Sequence, residues 1–443
     1  VKGGFIVHLG ATDGSTTTAL RPSDNYQVQA LVTDASKLDA VRKQIRKGAG
    51  TYGPIAADYW KDGQLPYIDN MVNLLLIEEG TEVSQKEIHR VLTPLGKAYQ
   101  KKDGKWKVID KKWPKEIDEW THYLHGADGN AVAKDTRVGP PRRLQWVGSP
   151  RWSRHHDRMA SMSALTSTEG RLFYVMDEGS RVSIQLPPDW KLIARDAFNG
   201  VVLWKREIPK WHHHLWPLKS GPTQLARRLV TKGDRVYFTL GITAAVSALD
   251  ATSGKTLVNF KGSEGSEEIL VANGSLLALV NKGASELKDY VPKHNVGDQA
   301  RVRTEFVWDE NPRILMCYDA ETGKKRWEHE SPVAPLSPAS DGERAYFHDG
   351  KTVTAIDLKT GKVAWQGAPS ARRSSVQFNF GPRLVVVDGV VVFAGGDRSM
   401  TAYEAKTGKK LWTSPHERGG YQSPEDLLVI GGLVWSAPIT STK

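Results

Sequence analysis

Short runs in which apolar and polar side chains alternate fill the second half of the chain, and one of them recurs. In ILMCYDAETGKKRW, residues 314–327, Ile314, Met316 and Tyr318 keep the period-two spacing of a β-strand. Asp319 closes that strand, and Thr322-Gly323 supplies a turn in which glycine takes positive φ freely. Lys324 and Lys325 lead to Trp327 on a returning strand, so the stretch predicts a hairpin. The pattern is written four more times: LIARDAFNGVVLW to Trp204, VSALDATSGKTLVNF to Phe260, VTAIDLKTGKVAW to Trp365 and MTAYEAKTGKKLW to Trp412. The acids in register are Asp196, Asp250, Asp319, Asp357 and Glu404, separated by 54, 69, 38 and 47 residues. Self-similarity at roughly 40–50 residues points to a propeller or a solenoid.

Two more strands precede each copy. They read SALTSTEG and RLFYVMD, RRLVTKGD and RVYFTLG, EEILVANG and SLLALVNKG, LSPASDG and ERAYFHDG, then PRLVVVDG and VVVFAGGD. Four short strands per unit, with Gly, Asp or Asn at the junctions, predict the blades of a β-propeller; solenoid repeats are shorter. The Trp of each copy is expected to pack between neighbouring blades. EDLLVIGG and LVWSAPITSTK read as the first two strands of a sixth blade, which suggests a fragment of a longer chain, since an open ring exposes unpaired backbone.

Residues 1–110 follow another rhythm. FIVHLGATDG is an apolar strand running into a glycine-containing loop, TTTAL begins a helix, and YQVQALVTD is a second strand. SKLDAVRKQIRKG predicts a helix with Ser36 as N-cap, MVNLLLIE a buried parallel strand, VSQKEIHRVL a helix and KAYQKK a strand. Strands alternating with helices predict a doubly wound α/β, Rossmann-like sheet. The fold class is therefore multidomain: a Rossmann-like domain over 1–110, a connector over 111–159, and an all-β propeller over 160–443 that appears as five blades and the start of a sixth.

Composition alters this picture little. The 443 residues are 39% apolar and 25% charged, and no run of about 18 apolar residues marks a membrane span. Net charge is +11, and residues 101–158 hold fourteen Lys/Arg against eight Asp/Glu, which reads as a solvated basic connector. No recognition motif accompanies it, so nucleic acid is not indicated. The one cysteine, Cys317, lies within a strand and has no intramolecular partner.

Candidate chemistry gathers in the Trp- and His-rich loops. DEWTHYLH places His122 and His125 three apart, on one face if helical. His155, His156 and Asp157 precede the first blade, and Trp211, His212, His213, His214, Trp216 and Lys219 lie between the first two blades. Seven of the thirteen histidines fall between 122 and 214. Loops from one end of a propeller converge, so these residues are a candidate substrate or metal site. Imidazole and carboxylate suit Zn, Mn or Fe, the two tryptophans offer stacking surfaces for a sugar or a quinone, and Arg154 and Lys219 suit an anion. Satisfied histidines in wet loops are the plainer alternative, because neither spacing matches a zinc motif. The insertion over 282–313, with His294, Arg301 and Arg303, reads as a lid or a mobile loop.

The repeated DAxTGKxxW tag resembles that of the PQQ-like propellers, named for the pyrroloquinoline-quinone (PQQ) alcohol dehydrogenases, over residues 160–443. The resemblance implies a propeller fold, export to the periplasm, and either a quinone enzyme or a cofactor-free scaffold. The adjacent cysteines typical of the quinone enzymes are absent here. Residues 3–100 resemble class I S-adenosylmethionine (SAM) methyltransferases through LPYIDNMVNLLLIEE and EIHRVLTPLGKAY. That resemblance implies cofactor contacts at Gly10, Gly14 and Asp34. His8 stands where the family has an acid, Thr12 where it has the middle glycine, and Leu95 where its turn has a glycine. The expected function is a binding or scaffold propeller for a small-molecule, glycan or protein partner, carrying an inactive methyltransferase-like domain. The alternatives are a quinone- or metal-dependent sugar or alcohol oxidoreductase and a SAM-dependent methyltransferase. PQQ, SAM and a His-bound divalent metal are the candidate cofactors.

Overall fold

The computed structural model describes residues 2–436 apart from 51, 138, 142–143, 150–153, 155–160, 184–185, 212–222, 286–287, 289–306, 378–380 and 418–425. The amino-terminal sheet comprises β1 (Gly4–Leu9), β2 (Tyr26–Val32), β3 (Ile55–Tyr59), β4 (Val72–Ile77), β5 (Leu92–Lys102) and β6 (Lys105–Asp110), in the order β3-β2-β1-β4-β5-β6. β1 to β5 run parallel, and β6 returns antiparallel on β5. Helices α1 (Gly14–Ala19), α2 (Leu38–Ala49) and α3 (Gln85–Val91) cover it. Alternate residues of β1 feed two cores: Phe5, Val7 and Leu9 join Ile88 and Val91, while Ile6 joins Val41 and Ile45. A strand covered on both faces is largely apolar, and from Met71 to Ile77 only Asn73 interrupts the apolar run.

Two details depart from the sequence reading. Ser36 is not the cap of the second helix; the cap of the 3-10 turn that precedes α2 is Asp34, whose Oδ1 accepts the Ser36 N–H at 3.0 Å and its hydroxyl at 2.6 Å. β3 and β6 have no counterpart in the sequence pattern: IAADY is short, and KWKVID buries only Ile109 and leaves Trp106 and Val108 exposed.

Five four-stranded antiparallel sheets and one two-stranded sheet follow, each in sequential strand order, as blades require. Their first strands are Met162–Thr168, Leu229–Lys232, Ser266–Ala272, Ala339–Ser340, Arg383–Val387 and Leu427–Ile430. Each of the five repeated tags joins the third and fourth strands of its blade. In the third, Asp319 Oδ1 accepts the Thr322 N–H and hydroxyl at 2.8 Å, and Gly323 takes φ +74°. Opposite the Trp of each fourth strand stands a small residue: Ala194, Cys317, Ala355 and Ala402 face Trp204, Trp327, Trp365 and Trp412.

Those tryptophans lock one blade to the next. Trp204, Trp327 and Trp365 donate Nε1–H to the carbonyls of Ala251, Leu358 and Ala405, each the residue after the acid of the following tag, at 2.9–3.0 Å. Each ring lies over the tag glycine of that next blade, so a Cβ at Gly254 or Gly361 would stand 2.7 or 2.6 Å from it. In the second blade Phe260 replaces the indole and packs edge-on to Tyr318. The expected interblade role of the tag tryptophans is thus observed for these three.

Candidate functional site

The connector is not helical at its histidines. His122 and His125 pair across a tight turn, with His125 at φ +70°, so they do not share a helical face. From this turn the segment 120–130 laces across the hub. Ser167 of the first blade donates its N–H to Trp120 O at 2.7 Å, and Thr231 of the second to Thr121 O at 2.9 Å. Val271 of the third donates to His122 Nε2 at 3.1 Å. Ser340 of the fourth donates to Ala127 O at 2.8 Å, and Val386 of the fifth to Asp128 O at 2.9 Å. Val429 of the two-stranded sheet exchanges two bonds with the Asn130 amide, at 2.9 and 3.0 Å. Six blades are met in chain order, each at or beside the last residue of its first strand, where a backbone group facing the hub needs a partner.

Because His122 Nε2 accepts the Val271 N–H, the neutral ring carries its hydrogen on Nδ1, which lies 2.8 Å from Thr121 Oγ1. Burial, with Arg227 and Lys232 nearby, pulls its pKa down to about 3. His125 instead faces Asp118, Nε2 to Oδ2 2.7 Å. Above the turn, Arg227 pairs with Glu268 at 2.6 Å, both deeply buried. Arg383 gives its terminal N–H to Gly129 O at 3.0 Å, and burial beside Arg227 pulls its pKa down to about 10. The space left between the connector, Arg227 and Leu270 is about 10 Å³, room for one water molecule.

At the opposite end of the hub the connections between blades meet. Trp211, Leu225, Ile242, Trp308, Ala334 and Val376 join one apolar cluster. Trp308 donates its backbone N–H to Val376 O at 2.8 Å, which ties the end of the 282–313 insertion to a distant loop. Trp211 is not a free stacking surface: it is buried against Phe238 at 5.1 Å between ring centres, with the Arg228 guanidinium over its ring. Arg154 is not a free anion ligand either. Its Nη1 meets Asp177 Oδ2 at 2.8 Å, and its remaining terminal N–H groups go to the carbonyls of Pro187, Ser183 and Leu186. His155, His156, Asp157, His212, His213, His214, Trp216 and Lys219 lie outside the described residues, as does most of the insertion with His294, Arg301 and Arg303. Among the described residues, the side-chain amide of Gln224, Arg228 Nε and Trp308 Nε1 at this end are buried without a hydrogen-bond partner. No cluster of three or more potential metal ligands occurs among the described residues.

The three residues matched to SAM contacts have other employment. Gly10 has φ +81°, as a tight strand-to-helix loop needs, and a Cβ there would stand 2.3 Å from the Thr81 hydroxyl. A Cβ at Gly14 would stand 2.8 Å from Val41 O, so this glycine serves the packing of α1 on α2. Asp34 caps its turn. His8, in the acid's place, is buried between Thr17 Oγ1 at 2.8 Å and Glu78 Oε1 at 3.2 Å, and burial lowers its pKa. A polar groove of about 1230 Å³ opens beside these positions, past the carboxyl ends of β4 and β5, lined by Glu79, Thr81, Glu87, Arg90 and Lys102. A second cavity, about 230 Å³, lies between the sheet and the first blade, among Lys2, Asn73, Lys97, Arg171 and Asp196. The sequence reading missed both the lacing segment and this interdomain cavity. The lacing has no period to detect, and the cavity joins residues more than a hundred positions apart.

Comparison with known proteins fits this architecture. The family profile described as "Outer membrane protein assembly factor BamB" matches residues 211–435. The outer membrane protein assembly factor BamB of Burkholderia pseudomallei is 22% identical over 232 residues, 47% of this chain and 60% of that protein. The lanthanide-dependent methanol dehydrogenase of Methylorubrum extorquens is 29% identical over 154 residues, 30% of this chain and 24% of that protein. The chain thus spans less than two thirds of either relative. A solved europium-containing methanol dehydrogenase aligns over 68% of this chain and 58% of its own, at 13% identity and TM-score 0.41. No helix among the described residues is long and apolar enough to cross a membrane.

Proposed function

This chain belongs to the PQQ-like β-propeller family, and on that premise we propose that it is a binding and scaffold propeller for a protein or glycan partner. The observation that carries this reading is the connector end of the hub, which is filled among the described residues. Residues 120–130 satisfy the inner strands of six blades and leave about 10 Å³ beneath them. A ligand of drug size needs a cavity of roughly 300 Å³ or more. The described residues do not fit a quinone there: Trp211 is packed into the core, and Cys317 is a lone buried thiol with its pKa pushed up to about 11. SAM is not favoured either, since Thr81 packs against Gly10, Asp34 caps a turn and His8 stands in place of the acid. Kinship with a protein described as an outer membrane assembly factor supports a protein partner and a place in the cell envelope.

The test loads the protein with PQQ and Ca²⁺, removes the excess by gel filtration and assays alcohol-dependent dye reduction. The expected result is no retained quinone and no turnover. One quinone retained per chain, with turnover, would overturn the reading. SAM titration is expected to release no heat at millimolar ligand.

The unpaired Gln224, Arg228 and Trp308 atoms favour a second reading, a small polar ligand at the hub end opposite the connector. Its chemistry would be that of a sugar hydroxyl, which can accept from Arg228 or Trp308 and both donate to and accept from the Gln224 amide. Gln224→Leu should then weaken glycan binding while leaving capture of a protein partner intact.

A further inference from the structure

The two edges of the amino-terminal sheet are finished differently. At β3 side chains occupy the outward backbone: Ala57 donates its N–H to Tyr52 Oη at 3.0 Å, and its carbonyl accepts from Arg42 Nε at 3.0 Å and from the Tyr52 hydroxyl at 3.1 Å. β6 forms the other edge and pairs with β5 alone, in unbroken register from Lys97–Asp110 to Lys102–Lys105. Its closing turn, Asp103-Gly104, has two residues, both at positive φ, so Lys102 and Lys105 are the hydrogen-bonded pair. Lys111 bonds inward as well, donating to Gly96 O at 3.0 Å. The odd-numbered residues therefore bond β5, and the N–H and C=O groups of Trp106 and Val108 point away from the sheet. Among the described residues no side chain is bonded to them.

The side chains sort by face. Lys105 and Lys107 stand on one face, exposed and without an acidic partner among the described residues. Trp106 and Val108 stand on the other, 46% and 45% exposed, with Lys101 Nζ 5.7 Å from the Trp106 ring centre. The hairpin itself is fixed: Ile109 is buried, and Gly104 donates its N–H to Glu79 Oε1 at 3.2 Å. Edge strands are commonly shielded from pairing by proline, a bulge or charge, and of these β6 has only its lysines. An open edge with two exposed apolar side chains on it marks an interaction surface.

We infer that β6 docks an extended segment of a protein partner as a further strand of the sheet, acidic on one face and apolar on the other. Bonds to the outward backbone of Trp106 and Val108 supply affinity, and the alternating side chains set the register. Lys105 and Lys107 decide the charge of the occupant. Opposed residues of neighbouring strands share a face, so a second copy of β6 would set lysine against lysine. A strand with acids two residues apart meets both lysines and turns its apolar residues to Trp106 and Val108. The inference gives the partner of the scaffold reading a docking surface and rests on that reading. The quinone assay reports on the propeller and the experiment below on β6, so either can fail alone.

The test titrates a labelled peptide of alternating glutamate and valine into the 443-residue protein and follows anisotropy and amide exchange. Expected are saturable binding and slowed exchange at the Trp106 and Val108 N–H groups. K105E/K107E should bind this peptide at least tenfold more weakly and take up the peptide with lysine for glutamate instead. V108P removes an outward N–H without breaking a bond to β5, and should also weaken binding at least tenfold. If V108P melts early, the charge-reversal variant carries the test, because both lysines are exposed. No binding at millimolar peptide overturns the inference. So does binding that K105E/K107E leaves unchanged, or binding of anionic lipid vesicles or single-stranded DNA in place of the peptide.

Discussion

Asn73 of β4 donates its amide to Asp196 of the first blade, Nδ2 to Oδ2 2.7 Å, and so ties the amino-terminal sheet to the propeller. Asp196 also keeps the turn bonds of its repeat, accepting from the backbone of Phe198 and Asn199. Its counterpart Asp319 is held at about 2 by Thr322 and Arg326. Asp196 moves the other way, because burial under the sheet outweighs the same turn bonds and raises its pKa. One tag acid of the repeat has become an interdomain contact.

Asn73→Asp would set two carboxylates against each other in this cleft, where like charges cannot both ionise cheaply. A folded-state pKa raised further means a contact that is present at low pH and lost as pH rises through that value. The variant should become more protease-sensitive in the connection after β6 at pH 7.5 than near pH 5. Cleavage independent of pH in the variant would count against the contact.

His122 gives a pH dependence of opposite sign. Its folded pKa of about 3 lies below the unfolded value near 6.5, so the unfolded chain binds the extra proton between those limits. Stability should be complete above about pH 6.5 and fall by about 1.4 kcal/mol per pH unit below it. His122→Asn, whose side-chain oxygen can accept from Val271, should flatten this slope in denaturant titrations at pH 5 and pH 7. An unchanged slope would place the proton elsewhere.

The legible part of this molecule was the part with a period. Alternation and the Asp-x-x-Thr-Gly turn located the strands of the five full blades and their interblade tryptophans, because each unit repeats the same local physics. The doubly wound sheet was legible for the same reason, down to MVNLLLIE as a strand buried on both faces. The segment 120–130 was opaque. Its hydrogen bonds run to six strands spread over 262 residues, from Ser167 to Val429, and no local pattern encodes them. Arg154 and Trp211 read as ligand contacts in the sequence because Arg and Trp suit anions and rings; in the fold both are buried against protein partners, and burial depends on residues distant in sequence.

Arg154 illustrates the difference in an experiment. It and Asp177 form a pair with side chains only 1% and 2% exposed, and Asp177 also accepts from Gly179 and Asp189 at 2.8 Å. Removing one member of such a pair strands the other charge and costs about 3–5 kcal/mol. Arg154→Ala should therefore unfold the first blade at lower denaturant, whereas Arg154→Ala/Asp177→Leu should recover part of the loss. A ligand-binding arginine would show neither effect, so a fully stable single variant would return Arg154 to the candidate site.

Gly200 and Gly233 separate backbone strain from docking. Both have positive φ, +76° and +56°, so alanine at either costs about 1 kcal/mol in left-handed strain. A Cβ at Gly233 meets nothing within 4 Å, whereas one at Gly200 would press on the Trp146 ring. Gly200→Ala should therefore destabilise by more than Gly233→Ala, and the excess should vanish in a Trp146→Ala background. Trp146→Ala itself should cost about 2 kcal/mol, near half the value for a fully buried tryptophan, because the ring is half-buried. A double-mutant cycle from denaturant midpoints measures the coupling between Trp146 and Gly200. Coupling of more than about 1 kcal/mol is expected for residues in direct contact. Simple additivity would mean that the connector does not hold the first blade through its tryptophan.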